Sequence, residues 1–250
     1  MSGHSKWSTI KRKKGAADAK RGKIFSKLAK EITVAARLGG GDPAANPRLR
    51  SVLLAARTQN MPGDNVDRAI KKGTGELPGV TYDEVRYEAY APGGVALIID
   101  VLTDNKNRTV SEIRHLVSKL GGNMAEAGAV AWNFEPQGLL TIPKEGISEE
   151  EMFDKAIEAG AEDVSGDGDA YEIRTAPTQL HAVAGALEAA GTKAEEVKLT
   201  MMPKTTMELT GKQLLSCLRM IEELEDHDDV QDVFSNLNIT DEAMAEVMDE

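Results

Sequence analysis

Phosphate binding is the first chemistry that the residues of this 250-residue chain suggest. Residues 1–30 hold ten Lys/Arg and one acid, Asp18. Lys6, Lys11, Arg12, Lys13, Lys14, Lys20, Arg21, Lys23, Lys27 and Lys30 accompany Trp7, the sole aromatic before Phe25. Ammonium and guanidinium groups take up phosphate by releasing its counterions, and an exposed indole can stack on a base. Arg48, Arg50, Arg57, Arg68, Lys71 and Lys72 carry the same charge further along the chain. A solubility tail explains a Lys-rich terminus but not this continuation. Residues 1–72 hold 17 Lys/Arg against 5 Asp/Glu, whereas residues 73–250 hold 13 against 36, and the chain carries −11 overall. Such segregation points to a polyanion partner for the basic part and to an acidic remainder that stays clear of it. With about 6–10 cations on phosphates, affinity falls by about 10³–10⁵ between ~50 and ~200 mM salt.

Other chemistries lack their residues. His4, His115, His181 and His227 have no partner at i+3 or i+4, and there is no paired Cys, so zinc spacing is missing. The acidic stretch Asp163–Asp169 resembles part of a calcium loop without its register or distal Glu, and reads as a turn. Gly73-x-Gly75-x-x-x-Gly79 has the wrong spacing for a dinucleotide loop, and Gly211-Lys212-Gln213 lacks the rest of a P-loop. No Gly-x-Ser-x-Gly elbow occurs. Cys217, between Leu214 and Ile221 at helical spacing, reads as a buried structural thiol. Catalytic residues, metal, cofactor and a small-molecule substrate are therefore not expected. Two loops are left open. Asp104–Thr109, with Asn105, Asn107 and Arg108, is either a set of Asx turns and an N-cap or a binding loop. Asn60-Met61-Pro62-Gly63 is either a plain interhelical turn or one that offers an exposed Met as an adaptable contact.

These residues need elements to hold them. Residues 1–21 are basic and poor in apolar side chains, which predicts a flexible arm. Ile24, Leu28, Ile32 and Ala35 then mark one face of a helix from about Gly22 to Gly39, with Lys20, Lys23, Lys27 and Lys30 on a second stripe. Asn46-Pro47 reads as N-cap and N1 of a second helix, and Asp64–Ile70 as a third that stops at Gly73. From Glu84 the period switches to two, with Val85, Tyr87 and Ala89 inward and Glu84, Arg86 and Glu88 outward. Val95–Leu102 follows as a strand, Thr109-x-x-Glu112 as the capping box of a helix, and Ala127–Phe134 as a further strand. Residues 138–201 read β-α-β-β-α-β, the ferredoxin-like order. The expected fold is α+β: an N-terminal three-helix domain and two α/β domains, one of them a ferredoxin-like unit inserted in the other. The expected boundaries are an arm at 1–21, a helical domain at 22–79, a discontinuous middle domain at 80–134 and 205–250, and the insert at 135–204.

A 41% hydrophobic, 28% charged composition suits a globular protein with a real core. The apolar run Val95–Ile99 is far too short to span a membrane, and the charged start has no apolar signal region. With a single Cys, a reducing compartment is expected, hence cytoplasm.

The chain also resembles the YebC family of bacterial proteins, whose mitochondrial relative is the translational activator of cytochrome c oxidase. The resemblance lies in Gly3-His4-Ser5-Lys6-Trp7, Asp18-Ala19-Lys20-Arg21-Gly22-Lys23, Val34–Pro43, Asn46–Arg50 and Asp104–Thr109. It continues through Ala159–Asp163, Leu187–Gly191 and Leu224–Val230, where His227 replaces a residue that is often Cys in the family. It implies a helical domain followed by two α/β domains, and a non-enzymatic cytoplasmic regulator of gene expression. Family members have been described both as DNA-binding transcriptional regulators and as ribosome-associated factors that help synthesis through consecutive prolines. The expected partner is therefore ribosomal RNA, or alternatively DNA, with no membrane partner and with the protein acting as a monomer.

Overall fold

The computed structural model describes residues 17–166, 170–240 and 242–243. By contacts the chain divides into two compact units. Among the described residues, one comprises those from Ile24 to Gly79 and from Pro136 to Met201; the other comprises Val80–Glu135 and those from Met202 onward, with the chain from Ala17 to Lys23.

In the first unit, α1 (Ala17–Gly39) from Ile24 onward, α2 (Pro47–Thr58) and α3 (Gly63–Thr74) pack around Ile32, Ala35, Leu49, Val52, Ala56, Met61 and Ala69. Helix α1 starts five residues before the sequence periodicity suggests, and Ile24 is 37% exposed. The buried face of α1 is concentrated in the denser apolar run Ile32–Ala36. Asn46 caps α2 as expected: its Oδ1 accepts from Leu49 N–H at 3.0 Å. Its Nδ2 also donates to the Ala35 and Gly40 carbonyls, both at 2.8 Å, so one buried amide ties the end of α1 to the start of α2. Helix α3 runs past Gly73 to Thr74 and ends at Gly75 in the left-handed region, φ 85°. Gly73 serves packing instead: a Cβ there would strike the Thr33 carbonyl oxygen and sit 2.7 Å from Ala36 Cβ.

The same unit holds the ferredoxin-like fold, β4 (Phe134–Pro143), α5 (Glu149–Glu158), β5 (Asp163–Ser165), β6 (Ala170–Thr175), α6 (Leu180–Ala189) and β7 (Glu196–Pro203). The sheet order is β5-β6-β4-β7, with β6 antiparallel to both its neighbours. Leu140, Ile142, Ile173, Met152 and Leu187 fill its core. Ser148 Oγ caps α5 by accepting from Glu151 N–H. Leu54 of α2 packs against this core, and Thr58 Oγ1 donates to the Glu195 carbonyl at 3.0 Å.

In the second unit, β1 (Asp83–Tyr90), β2 (Ala96–Thr103), β3 (Asn123–Ala125) and β9 (Val230–Ser235) form an antiparallel sheet in the order β3-β1-β2-β9. Helices α4 (Lys106–Lys119) and α7 (Gly211–Glu225) cover one face, burying Leu97, Ile99, Ile113, Val117, Leu214 and Cys217. Short β8 (Met207–Glu208) and β10 (Leu237–Asn238) pair in parallel.

Two local expectations fail here. Ala127–Phe134 is not one strand: β3 precedes it, a turn and a 3₁₀ segment at Ala131–Asn133 follow, and β4 begins at Phe134. Glu88 is the cause. Expected to face solvent, it is buried, and its carboxylate accepts from Gly128, Val130 and Ala131 N–H at 2.6, 2.7 and 3.0 Å. These amides, taken by a side chain, are unavailable to a sheet ladder. Burial alone would raise the Glu88 carboxyl, but the three amides with nearby Arg86 outweigh it and hold the group below the ordinary carboxylate range. The N-cap of α4 is Asn105 rather than Thr109, because Asn105 Oδ1 takes Arg108 N–H at 3.1 Å while the Thr109 hydroxyl is engaged elsewhere.

Candidate nucleic-acid interface

The cations that the sequence singles out have different surroundings. Lys6, Trp7, Lys11, Arg12, Lys13 and Lys14 lie outside the described residues, and of Lys20 only the backbone, within α1, is described. Arg21 and Lys23 are exposed, and Lys23 Nζ donates to the Asp226 carbonyl at 3.1 Å. Lys27, Lys30 and Arg48 are half-buried. Arg50 is exposed, yet its Nε and Nη2 donate to the Pro43 and Ala44 carbonyls at 3.1 and 3.0 Å, so part of it holds the α1–α2 loop.

Arg57 on α2 and Arg68, Lys71 and Lys72 on α3 form a different class. All four are exposed. None has a side-chain hydrogen bond or ion pair among the described residues. A cation without an internal partner keeps its full capacity to displace counterions from phosphate.

The two loops resolve differently from the binding alternatives. Met61 is only 8% exposed and belongs to the helical core, so it offers no surface contact. The loop turns sharply at Asn60, φ 56°, where Met61 N–H reaches back to the Ala56 carbonyl and drives the side chain inward. Pro62, exposed, precedes α3 as its N-cap residue.

In the second loop, Asn105 is a cap and Arg108 is a bridge. Arg108 Nη2 lies 2.8 Å from Asp104 Oδ1 and 2.7 Å from Asp229 Oδ2. Thr109 Oγ1 donates to the same Asp229 oxygen at 2.7 Å. Asn107 is exposed, and its carbonyl accepts from Ser111 Oγ. This loop is therefore built into the fold.

That network also gathers a group which sequence spacing hides. Glu112, His227 and Asp229 each offer a ligand atom, all within 4.8 Å of one another, so His227 does have partners, 115 residues distant in the case of Glu112. Asp229 N–H donates to His227 Nδ1, leaving Nε2–H for Glu112 Oε2 at 3.1 Å. The Arg108 guanidinium, 2.7 Å from Asp229 and 3.9 Å from Glu112, already supplies the positive charge that a metal would bring. The cluster is a charge-compensated polar joint. Burial pushes the Cys217 thiol up to about 12, which leaves it protonated and unreactive at neutral pH.

Two features escaped the sequence. Trp132 is 67% exposed, its Nε1 donating to the Ala129 carbonyl. A groove of about 270 Å³ also lies between α2 and α6, with Arg50, Arg57, His181 and Lys193 among its walls, although no small-molecule site was expected. No described helix is long and apolar enough to cross a membrane.

A family model described as the TACO1/YebC protein N-terminal domain matches residues 5–76, and one described as the TACO1/YebC second and third domain matches residues 82–237. The chain belongs to the TACO1/YebC family. A relative from Desulfotalea psychrophila, named a probable transcriptional regulatory protein, is 57% identical over 248 residues, covering 99% of each chain. One of the same name from Desulforapulum autotrophicum is 57% identical over 242 residues, covering 97% of this chain and 98% of its own. Among solved structures, a conserved hypothetical protein from Aquifex aeolicus is similar with a TM-score of 0.84 and 45% identity, over 90% of this chain and 93% of that one. The TACO1/YebC boundary between the two matched regions, residues 76–82, coincides with the change from basic to acidic composition.

Proposed function

We propose that this chain is a non-enzymatic regulator of gene expression that binds nucleic acid through its basic leading third, with ribosomal RNA as the target. The observation that carries the reading is the set of exposed cations Arg57, Arg68, Lys71 and Lys72, unpartnered among the described residues and following the Lys-rich start in sequence. RNA folded in a particle presents phosphate from several directions, which suits cations distributed over a segment and two helices. The acidic remainder is repelled by an extended duplex but tolerated where basic proteins and solvent surround the RNA. In the cytoplasm, on a ribosome, such a protein acts by positioning rather than by chemistry, easing synthesis through difficult stretches such as consecutive prolines.

A second reading, a DNA-binding transcriptional regulator, is favoured by the names of the relatives. It needs Arg48, Arg50, Arg57, Gln59 and Asn60 to meet base edges. The deciding experiment is sedimentation of the full chain with ribosomal particles. Co-migration at low salt that is lost at high salt is expected. If the protein stays at the top of the gradient and shifts one promoter fragment in preference to scrambled DNA, the second reading replaces the first.

A further inference from the structure

The groove between α2 and α6 does something that a strip of surface cations cannot. Its cationic lining comes from Arg50 and Arg57 on α2 and from Lys193 on the loop after α6, with the His181 imidazole beside them. Arg50 and Arg57 are seven residues apart, hence on one face of the helix and about 10.5 Å apart along its axis. Leu54, Ala184, Ala194 and Val197 supply apolar surface between the polar groups. Glu188 is the single acid in the lining. Arg57, His181, Glu188 and Lys193 have no side-chain hydrogen bond or ion pair among the described residues. The walls are fixed relative to each other by the Thr58–Glu195 hydrogen bond and by Leu54 packed against the ferredoxin-like core.

The geometry points to a subsite that takes one unstacked nucleotide of a single strand, its phosphate on the arginines and Lys193 and its base against the apolar floor. Three features select that occupant. Three cations against one carboxylate in the lining call for an anion. A volume of about 270 Å³ with an apolar floor calls for a ligand that has a flat, weakly hydrated body as well as its charge, and this excludes inorganic phosphate alone as the fitted ligand. The same volume cannot admit a duplex, whereas single-stranded RNA splays its bases into pockets of this kind and onto guanidinium planes. Burial and then the charge of Arg50 push the His181 imidazole down, so at neutral pH it offers a neutral ring with one donor and one acceptor. Glu188 provides an acceptor for an exocyclic amino group. This subsite deepens the nucleic-acid reading and rests on it, but it adds a preference for single strands that surface charge does not provide.

Gly185 supplies the test. It lines the groove on α6, and a Cβ added there meets nothing within 4 Å, so Gly185→Leu fills the groove without disturbing the backbone or the charge. The full chain is titrated, by fluorescence anisotropy, into a labelled ten-nucleotide single-stranded RNA and into the duplex of the same sequence, with CMP as a competitor. Gly185→Leu is expected to weaken single-strand binding at least tenfold while duplex binding stays within twofold. Lys193→Gln is expected to act in the same direction. CMP at millimolar concentration is expected to compete and to shift the His181 ring resonances, assigned by their loss in His181→Asn. Competition by CMP without any strand preference identifies a free mononucleotide as the ligand and overturns the single-strand assignment. Unchanged single-strand binding in both Gly185→Leu and Lys193→Gln overturns the subsite but leaves the nucleic-acid reading standing. Absence of binding to either RNA form or to CMP by the unaltered chain overturns both.

Discussion

Lysine and arginine are used differently in the α2–α3 region and in the sheet built on β1 and β2. In the sheet, Arg86 makes two 2.7 Å hydrogen bonds to Asp100, its cross-strand partner, and Lys106 lies 3.4 Å from Asp83. Arg108 joins Asp104 to the buried Asp229, so a cation ties the start of α4 to the start of β9. In α2 and α3, apart from Arg50 on the α1–α2 loop, the structural devices described above are neutral: the Asn46 amide, the bare Cα of Gly73 and an apolar core of seven buried side chains. Arg57, Arg68, Lys71 and Lys72 add nothing that this packing needs. Charge compensated inside the fold is unavailable to a partner, and charge left over is available. Net charge per segment therefore points to the proposed binding region only because pairing differs between the regions as well.

The strongest way to break this contrast is to neutralise the leftover charge. The variant Arg57→Gln, Arg68→Gln, Lys71→Gln and Lys72→Gln should lose about 10²–10³-fold in RNA affinity at ~0.1 M salt, and the slope of log affinity against log salt should become shallower by about 3. Its melting temperature should stay within about 2 °C, since exposed cations away from partners change stability little. Neutralising Arg86 and Asp100 together should leave RNA affinity within twofold. Equal losses in the two variants would dissolve the distinction between the regions.

Much of this contrast was legible in the sequence, but at one level only. Residue type reported the charge, and strongly periodic stretches reported the elements: the Asn46-Pro47 cap, the Ser148 cap and the βαββαβ order are local patterns. Long-range contacts carry no local signature. Nothing near Glu88 announces that its carboxylate will capture amides forty residues on, so alternation placed it in solvent and Ala127–Phe134 became a strand. His227 shows no partner at i+3 or i+4 because Glu112 and Asp229 reach it only through the fold. Met61 failed for a similar reason: a Pro-Gly turn suggests exposure, and the left-handed Asn60 reverses it. The groove was illegible because its walls lie over a hundred residues apart.

The complementary variant removes a compensated charge. Asp229 is 4% exposed and receives Arg108 and Thr109 on one oxygen, while its backbone carbonyl takes Leu102 N–H. Asp229→Ala keeps the backbone bond but removes the charged acceptor that Arg108 and Thr109 share, leaving Thr109 only the Asn105 carbonyl and the Thr103 hydroxyl, at a cost of about 2–3 kcal/mol in urea denaturation. RNA affinity should not change. A variant that unfolds no more easily than the parent, yet binds RNA more tightly, would show that Asp229 masks a binding cation rather than supporting the fold.

The smallest effect is also the most diagnostic, because it depends on pH. Glu88 accepts three amide hydrogen bonds as a carboxylate, and these with Arg86 hold its folded value below the unfolded one of about 4.3. A depressed folded value stabilises the protein above the unfolded value, and the contribution disappears as pH falls through the folded one. Glu88→Gln keeps one acceptor oxygen and sets an amide NH₂ against backbone N–H groups, so it should cost about 1–2 kcal/mol at neutral pH. The gap between parent and variant, followed by urea denaturation, should be constant from about pH 7 to 5 and should shrink below about 4.3. The quadruple variant in α2 and α3 should show no such narrowing over the same range, since its residues stay cationic there and make no carboxylate bond. A Glu88→Gln gap that widens on acidification would mean that the carboxyl is protonated in the folded state, and that the loop from Gly128 to Ala131 is held by something other than its charge.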